Sequence, residues 1–307
     1  MNNENISIDY VFPFINPTDM GWLKTYRRYF KSRAGGGNAR FRDLGFLKYV
    51  FRGIEKNMPW INNVIILLSS ETQIPEWLNP ETVRIVYHNQ FIPKQYLPTF
   101  NSNTIEMFLA NIPNASEYII YGNDDFFPML PTSVNDYFTK DRKPRISYGE
   151  KSVARSPFQA MCKKIFKLVQ RRLKLSSPSS SIYYKQSHGA QPITLTLLKE
   201  TVNLLKNNIK RSITRKRKLS KNLSQYMYFD YAILSKQSER RDSLTEYIAY
   251  SSKRSNINTL NRLKSFIQKP SSPWLCFNDT QYTAIQHIPQ IIDEFEKKFP
   301  EKSKYEL

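Results

Sequence analysis

The chain has 307 residues and a formal charge of +20, with 46 Lys and Arg against 26 Asp and Glu. Its 40% hydrophobic and 14% aromatic content excludes a disordered polyelectrolyte and supports one large domain, or one domain with a substantial subdomain. Two cysteines, Cys162 and Cys276, exclude a disulfide framework or a thiolate metal cluster. No apolar run approaches the roughly 18 residues of a membrane span, and the start lacks the basic-then-apolar order of a signal peptide, so a cytoplasmic chain is the expectation.

In chain order, Ile8–Ile15 reads as a first strand with Asp19 just beyond it. The loop 34–39 is glycine-rich, but no Gly-Lys-Ser/Thr comes after it, so it is not a phosphate-binding P-loop. Phe46, Leu47, Val50, Phe51 and Ile54 recur at helical spacing and predict an amphipathic helix over 46–57. Val64–Leu68 is continuously apolar, as a strand buried on both faces must be, and Val83–Tyr87 is a second candidate. A helix over 103–110 and a strand over 117–121 complete an α/β pattern across residues 6–130. Its polar groups, including Asp9, Ser69, His88 and the Asn123-Asp124-Asp125 run, fall at or near strands. Open α/β sheets bind ligands at the carboxyl ends of their strands.

Beyond residue 140, helices are expected over 163–174, 193–209, 222–234 and 244–249, with a serine-rich linker at 176–181. Pro273–Thr280 reads as a strand ending in Asn278-Asp279, and 288–299 as a closing amphipathic helix. These patterns divide the chain into an α/β core, 1–140 with 271–307, and a basic, mainly helical insertion or lid, 141–270. The insertion holds 29 basic and 7 acidic residues, which concentrates the charge and suits an anionic partner. Arg211–Lys221 supplies charge without a nucleic-acid recognition motif, so no specific nucleic acid is expected.

Asp124 and Asp125 end an apolar strand. Two adjacent carboxylates there are either a solvated turn or a seat for a hard cation bridged to phosphate oxygens. The segments around them decide between these readings. Arg40-Phe-Arg-Asp43, Leu47–Ile61, Pro75-Glu-Trp-Leu78, Leu97-Pro-Thr-Phe-Asn-Ser-Asn-Thr-Ile-Glu106, Asn123-Asp-Asp125 and Cys276-Phe-Asn-Asp-Thr280 together closely resemble the Stealth family. These are sugar-phosphate transferases of bacterial capsule and exopolysaccharide assembly, related to the animal GlcNAc-1-phosphotransferase.

The resemblance implies an α/β, GT-A-like fold with a Rossmann-type, mostly parallel central sheet and helical insertions. It implies a reaction in which a nucleotide-diphosphate sugar, most often UDP-linked, gives sugar-1-phosphate to a glycan hydroxyl. The acceptor is expected to be lipid-linked, with the basic region resting on an acidic membrane surface. It implies Mg²⁺ or Mn²⁺ on Asp124, Asp125 and Asp279, with Glu106 and Asp125 in the catalytic set. His188 matches the family's general base, although this chain reads His188-Gly-Ala-Gln-Pro192 where His-x-Pro is usual. Arg217, or Arg215 in the alternative register, matches a phosphate-clamping arginine. Asp9, Arg42, Asn101, Asn103 and Asn123 are expected to bind the donor. Many members also carry an acidic residue before Leu47-Lys-Tyr49, which this chain lacks. An ordinary metal-dependent glycosyltransferase is the first alternative, and a nucleic-acid-binding protein, suggested by the charge alone, ranks behind it. His88 and His287 are expected to pack.

Overall fold

The computed structural model describes residues 6–30, 41–175, 182–214, 216, 223–253 and 256–307. The glycine-rich loop 34–39, the serine-rich segment 176–181 and, within the basic run, Arg215 and 217–221 lie outside the described residues.

Strand β1 (Ile8–Pro13) leads into helix α1 (Met20–Tyr29), whose first N–H groups, at Gly21 and Trp22, donate to the Asp19 carboxylate. Helix α2 (Leu47–Asn57) buries the predicted face of Leu47, Val50, Phe51 and Ile54. Gly53 lets this helix press on a strand, since a Cβ there would stand 2.6 Å from the Pro128 carbonyl oxygen. Strand β2 (Val64–Leu68) is buried at every position. Strand β3 (Arg84–Tyr87), the short helices α3 (His88–Phe91) and α4 (Ser102–Met107), and strands β4 (Tyr118–Tyr121) and β5 (Phe126–Pro128) come next. β1 runs parallel to both neighbours, with Val11 opposite Ile65 on one side and Tyr121 on the other. β2 and β3 are parallel as well. The carboxyl ends of four strands therefore open on one edge.

The remaining elements are β6 (Arg145–Lys151), α5 (Pro157–Arg172), β7 (Tyr183–Gln186), β8 (Gln191–Thr194), α6 (Leu195–Leu204), α7 (Lys206–Ile213), α8 (Tyr226–Leu234), β9 (Glu239–Arg241), β10 (Thr245–Ala249), α9 (Asn256–Gln268), β11 (Trp274–Asn278) and α10 (Ile288–Lys298). The main sheet has the order β3-β2-β1-β4-β8, with β8 antiparallel to β4. Two three-stranded sheets, β10-β11-β5 and β7-β6-β9, complete the molecule. The α/β, mostly parallel architecture expected from the sequence is the one observed.

Three expectations change. Residues 244–249 form no helix but strand β10, parallel to β11. Thr245, Tyr247 and Ile248 suit a pleated surface, and pairing with β11 holds the segment extended. The helix expected over 193–209 starts only at Leu195, because Ile193 and Thr194 pair with β4, and it breaks at Leu205 into α6 and α7. The segment 141–270 carries helices α5 to α9, but it is joined to the rest of the fold by strands: β8 closes the main sheet and β10 pairs with β11 beside β5.

A buried ion network ties the carboxyl end to α2. Arg52, 7% exposed, donates Nε and Nη2 to the two Glu306 oxygens at 2.8 Å each. Its Nη1 donates to Glu296 at 2.9 Å and to the Phe299 carbonyl at 2.7 Å.

Candidate active site

The site is built on the turn at the carboxyl end of β4. Gly122 donates its N–H to the Val11 carbonyl at 2.9 Å, and a Cβ at this position would collide with the Tyr10 hydroxyl. The chain turns through Asn123-Asp124-Asp125 and enters β5, which lies antiparallel on β11 with Phe126 opposite Cys276. The Phe277 N–H donates to the Asp125 carbonyl oxygen at 3.1 Å, and the Cys276 thiol donates to Asp125 Oδ2 at 3.8 Å. Asp125 Oδ1 is buried with no hydrogen-bond partner. Both carboxyls are pushed above the ordinary carboxylate range, Asp125 further than Asp124. The first cause is dehydration within the cavity wall; for Asp125 the charge of Asp124 comes second.

A cavity of about 1120 Å³ opens over this turn. Arg42, Glu106, Asn123, Asp124, Asp125, His188 and Asp279 all line it. His188 arrives through strand register. β8 is antiparallel to β4 with Gln191 opposite Tyr121, so the residues before Gln191 lie beyond the end of β4, where Asn123-Asp124-Asp125 turns. The exposed His188 ring makes edge contacts with Phe126, centroids 5.3 Å apart, and Tyr247, 5.5 Å apart. Glu106, buried on α4, accepts from the Gln225 N–H at 3.2 Å.

Other expected site residues are placed differently. Asp9 does not reach the cavity. It sits toward the amino end of β1, fully buried, and accepts from Asn62, from both nitrogens of Asn63, and from the Ser116 N–H at 2.7 Å. A parallel strand keeps its two ends apart, so Asp9 organises the loops leading into β2 and β4 instead of binding a donor. Asn101 caps α4 and donates to the Ser212 carbonyl at 3.0 Å, which joins α4 to α7 and corrects its expected donor role. Asn103 is fully buried, does not line the cavity, and has neither amide atom paired, so it too is removed from the donor site.

Asp279 lies in the cavity wall, but both its oxygens accept from Arg42, Nε to Oδ2 at 2.8 Å and Nη2 to Oδ1 at 2.5 Å. This fork corrects the expected metal role: Asp279 orients the Arg42 guanidinium. Arg215 and Arg217 lie outside the described residues. Lys216 is described; its ammonium donates to the Leu97 carbonyl at 2.9 Å, and its own carbonyl accepts from the Phe100 N–H.

The carboxylate pair fits a hard cation. Its buried oxygen lacks a partner, burial and mutual repulsion disfavour its ionised form without a counter-charge, and hard cations take oxygen ligands. Among the described residues no group of three or more His, Cys, Asp or Glu side chains is arranged to hold an ion. Asp124 and Asp125 are thus the residues that would hold a hard divalent cation, and they would do so as a pair without a third protein carboxylate.

Motif reading passed over Tyr121, Gln186, Gln191 and Gln225, which also line the cavity. Neutral side chains in no recognisable pattern leave no sequence signal. His88, expected to pack, is buried against Phe91 but also lines the cavity, and burial lowers its imidazole to about 4. His287 packs as expected, with Nδ1 3.3 Å from the Tyr250 hydroxyl.

Comparison with protein families matches residues 40–146 to Stealth protein CR2, conserved region 2. The capsular polysaccharide phosphotransferase WcwK of Streptococcus pneumoniae is 28% identical, over 98% of this chain and 99% of its own length. Over residues 40–146 the chain is thus similar to the Stealth family, and over nearly its full length to a capsular polysaccharide phosphotransferase. Another relative, the exopolysaccharide phosphotransferase cps2G of Lactiplantibacillus plantarum, is 35% identical over 48% of this chain and 43% of its own length. The capsular polysaccharide phosphotransferase LcbA of Aeromonas hydrophila is 29% identical over 74% and 65%. Among solved structures, the galactosyltransferase LgtC superposes with a TM-score of 0.44 and 9% identity over 96% of this chain and 98% of that one. The glycosyltransferase GlyE of S. pneumoniae gives 0.42 and 9% over 95% and 60%. The matched conserved region contains Arg42, Glu106, Asp124 and Asp125, whereas His188 and Asp279 lie outside it.

Proposed function

We propose that this protein is a Stealth-type transferase that moves sugar-1-phosphate from a nucleotide-diphosphate sugar to a glycan hydroxyl, forming the phosphodiester of a capsular or extracellular polysaccharide. The observation that carries this reading is the Asp124–Asp125 pair, with its unpartnered buried oxygen, in one cavity with His188 and Arg42. The full-length likeness to a capsular polysaccharide phosphotransferase supports it.

His188 takes the proton of the acceptor hydroxyl as that oxygen attacks the phosphorus next to the sugar. The new P–O bond forms to the acceptor, the P–O bond to the nucleotide breaks, and a nucleoside monophosphate leaves. Arg42, held by Asp279, presents its remaining N–H to phosphate oxygens. Asp124 and Asp125 would hold Mg²⁺ or Mn²⁺, which supplies charge neutralisation for the diphosphate. Glu106 stays on the α4 side of the cavity to order the sugar. Arg217, with Arg215 as the alternative, is retained as a clamp on the transferring phosphoryl group.

A donor labelled at its β-phosphorus tests the reaction. The label should enter the polymer. Its release with the nucleotide identifies an ordinary glycosyltransferase and refutes the proposal.

The basic helix α5 supports docking on an acidic membrane surface, the cytoplasmic face in a bacterial cell. Lys164, Lys167, Arg171, Arg172 and Lys174 are exposed, and no acidic residue occurs between Lys151 and Lys199. Phe158 and Leu175 add exposed apolar groups beside them. Among the described residues no helix is long and apolar enough to cross a membrane. The protein should pellet with vesicles containing anionic lipid, and salt should release it. Equal pelleting with neutral vesicles refutes this docking.

A further inference from the structure

One wall of the cavity is neutral and short of partners. His88 Nε2, the Tyr121 hydroxyl, and the side-chain carbonyls of Gln186, Gln191 and Gln225 are buried without a hydrogen-bond partner, and all five residues line the cavity. His88, Tyr121, Gln186 and Gln191 are each at most 6% exposed. Folded proteins pair nearly all such groups, so five around one cavity mark a place where something else completes them.

Strand register shows that the wall is built as a unit. Side chains alternate across a sheet, so Tyr121 shares the face of Ile119, and Gln191 that of Ile193, with Tyr121 and Gln191 directly opposed. His88 lies just past β3, two residues after Val86. Val86, Ile119, Tyr121 and Ile193 belong to one apolar cluster beneath this wall. The row therefore stands on one face at the carboxyl ends of β3 and β4 and the start of β8. Gln225, just before α8, lines the same cavity and is tied to α4 by its N–H bond to Glu106.

The orientation of two carbonyls is set by their own amide groups. Gln186 Nε2 donates to Asp230 at 2.9 Å, and Gln191 Nε2 donates to the Ser187 carbonyl at 3.0 Å. Both NH₂ groups are used within the fold, which leaves the oxygens as the free ends. Carbonyl oxygens repel phosphate and accept from hydroxyls. His88 and Tyr121 can each exchange one further hydrogen bond. A ligand that answers two fixed carbonyl acceptors, a third from Gln225, a phenol and an imidazole carries several hydroxyls on a rigid frame.

We infer that this neutral wall is the subsite for a sugar ring, in the same cavity as the phosphate-handling Asp124, Asp125 and Arg42. It rests on the transferase reading and adds to it the residues that recognise the ring: Tyr121, Gln191, Gln186, Gln225 and His88. The ring is either the donor sugar or the terminal sugar of the acceptor, and the same chemistry serves both.

The test uses Tyr121→Phe and Gln191→Leu in the full chain. Calorimetry compares UDP-hexoses with UDP, kinetics give the KM of the acceptor oligosaccharide, and saturation-transfer NMR reads binding of free hexoses and oligosaccharides. At least fivefold weaker binding of a UDP-hexose, with UDP unchanged, assigns the wall to the donor ring. An acceptor KM raised as much, with donor binding unchanged, assigns it to the acceptor. The melting temperature of Tyr121→Phe should hold or rise, because its hydroxyl has no protein partner, whereas Gln191→Leu also loses the amide bond to the Ser187 carbonyl and should fall slightly. Unchanged sugar binding in both variants overturns the inference, as does equal loss of UDP and UDP-hexose binding, or a lower melting temperature of Tyr121→Phe with binding intact. If the parent protein binds no nucleotide sugar, the transferase reading fails. The sugar wall fails as well only if the parent also shows no saturation transfer to free sugars.

Discussion

Replacing Asp125 by Asn should stabilise the metal-free protein at alkaline pH. Asp125 is raised from 3.8 to about 8 by dehydration and by the neighbouring Asp124 charge. A shift of that size corresponds to roughly 5–6 kcal/mol as a ceiling. The pair opens on a solvent-filled cavity, so screening leaves about 2 kcal/mol. A folded-state pKa above the unfolded one destabilises the fold as pH rises. The penalty is absent below about pH 4, where both states hold the proton, and grows until the folded carboxyl ionises near pH 8. In EDTA at pH 8, Asp125→Asn should therefore melt about 3–6 °C above the parent, and at pH 4 the two should coincide. Mn²⁺ should raise the parent's melting temperature and leave the variant almost unmoved. Differential scanning calorimetry across pH, with and without Mn²⁺, reads both effects. A variant that melts at or below the parent at pH 8 in EDTA refutes the electrostatic argument, and equal stabilisation of both proteins by Mn²⁺ removes the cation from this pair.

His188→Ala should reduce β-phosphorus transfer by at least a hundredfold with an unchanged melting temperature, measured by label incorporation. Arg52→Ala should cost about 3–5 kcal/mol in urea unfolding, because it strands buried Glu306 and frees Glu296. Burial raises both carboxyls, but hydrogen bonds outweigh it: those of Lys48, Tyr49 and Arg52 bring Glu296 down to about 2, and those of Arg52 and Ser303 lower Glu306. Stability from this network should thus be present at neutral pH and fall as pH drops below the ordinary carboxylate range, and the Arg52→Ala variant should lose much of that dependence. Gly122→Ala should destabilise by about 1–3 kcal/mol through its collision with the buried Tyr10 hydroxyl and displace the Asp124–Asp125 turn, read as a lower melting temperature together with weaker Mn²⁺ binding. Arg42→Lys should weaken donor binding several-fold in calorimetry, since an ammonium cannot keep the fork to Asp279 and face phosphate as well.

The main strands were legible because their signals are local. Val64–Leu68 is apolar throughout and becomes the fully buried β2, while Phe46–Asn57 shows its buried face in the spacing of its apolar residues. Asp124 and Asp125 stood out because charge at the end of an apolar strand is costly wherever the chain goes. Local patterning failed where pairing decided the conformation. Thr245–Ala249 becomes a strand because β11 lies beside it, and Ile193 and Thr194 stay extended because β4 holds them.

Sequence alone thus determined the α/β class, the acidic turn after β4 and the concentration of positive charge between residues 141 and 270. These come from hydrophobic periodicity and composition, which need no knowledge of distant neighbours. Tertiary structure decided which polar residues meet. It sent Asp9 to the far end of β1, bound Asp279 to Arg42, brought His188 to the acidic turn through β8, and aligned Tyr121 with Gln191 on a wall that no motif announces. Those outcomes depend on strand direction and register between segments tens to hundreds of residues apart, and side-chain placement across such pairings is a property of the folded sheet.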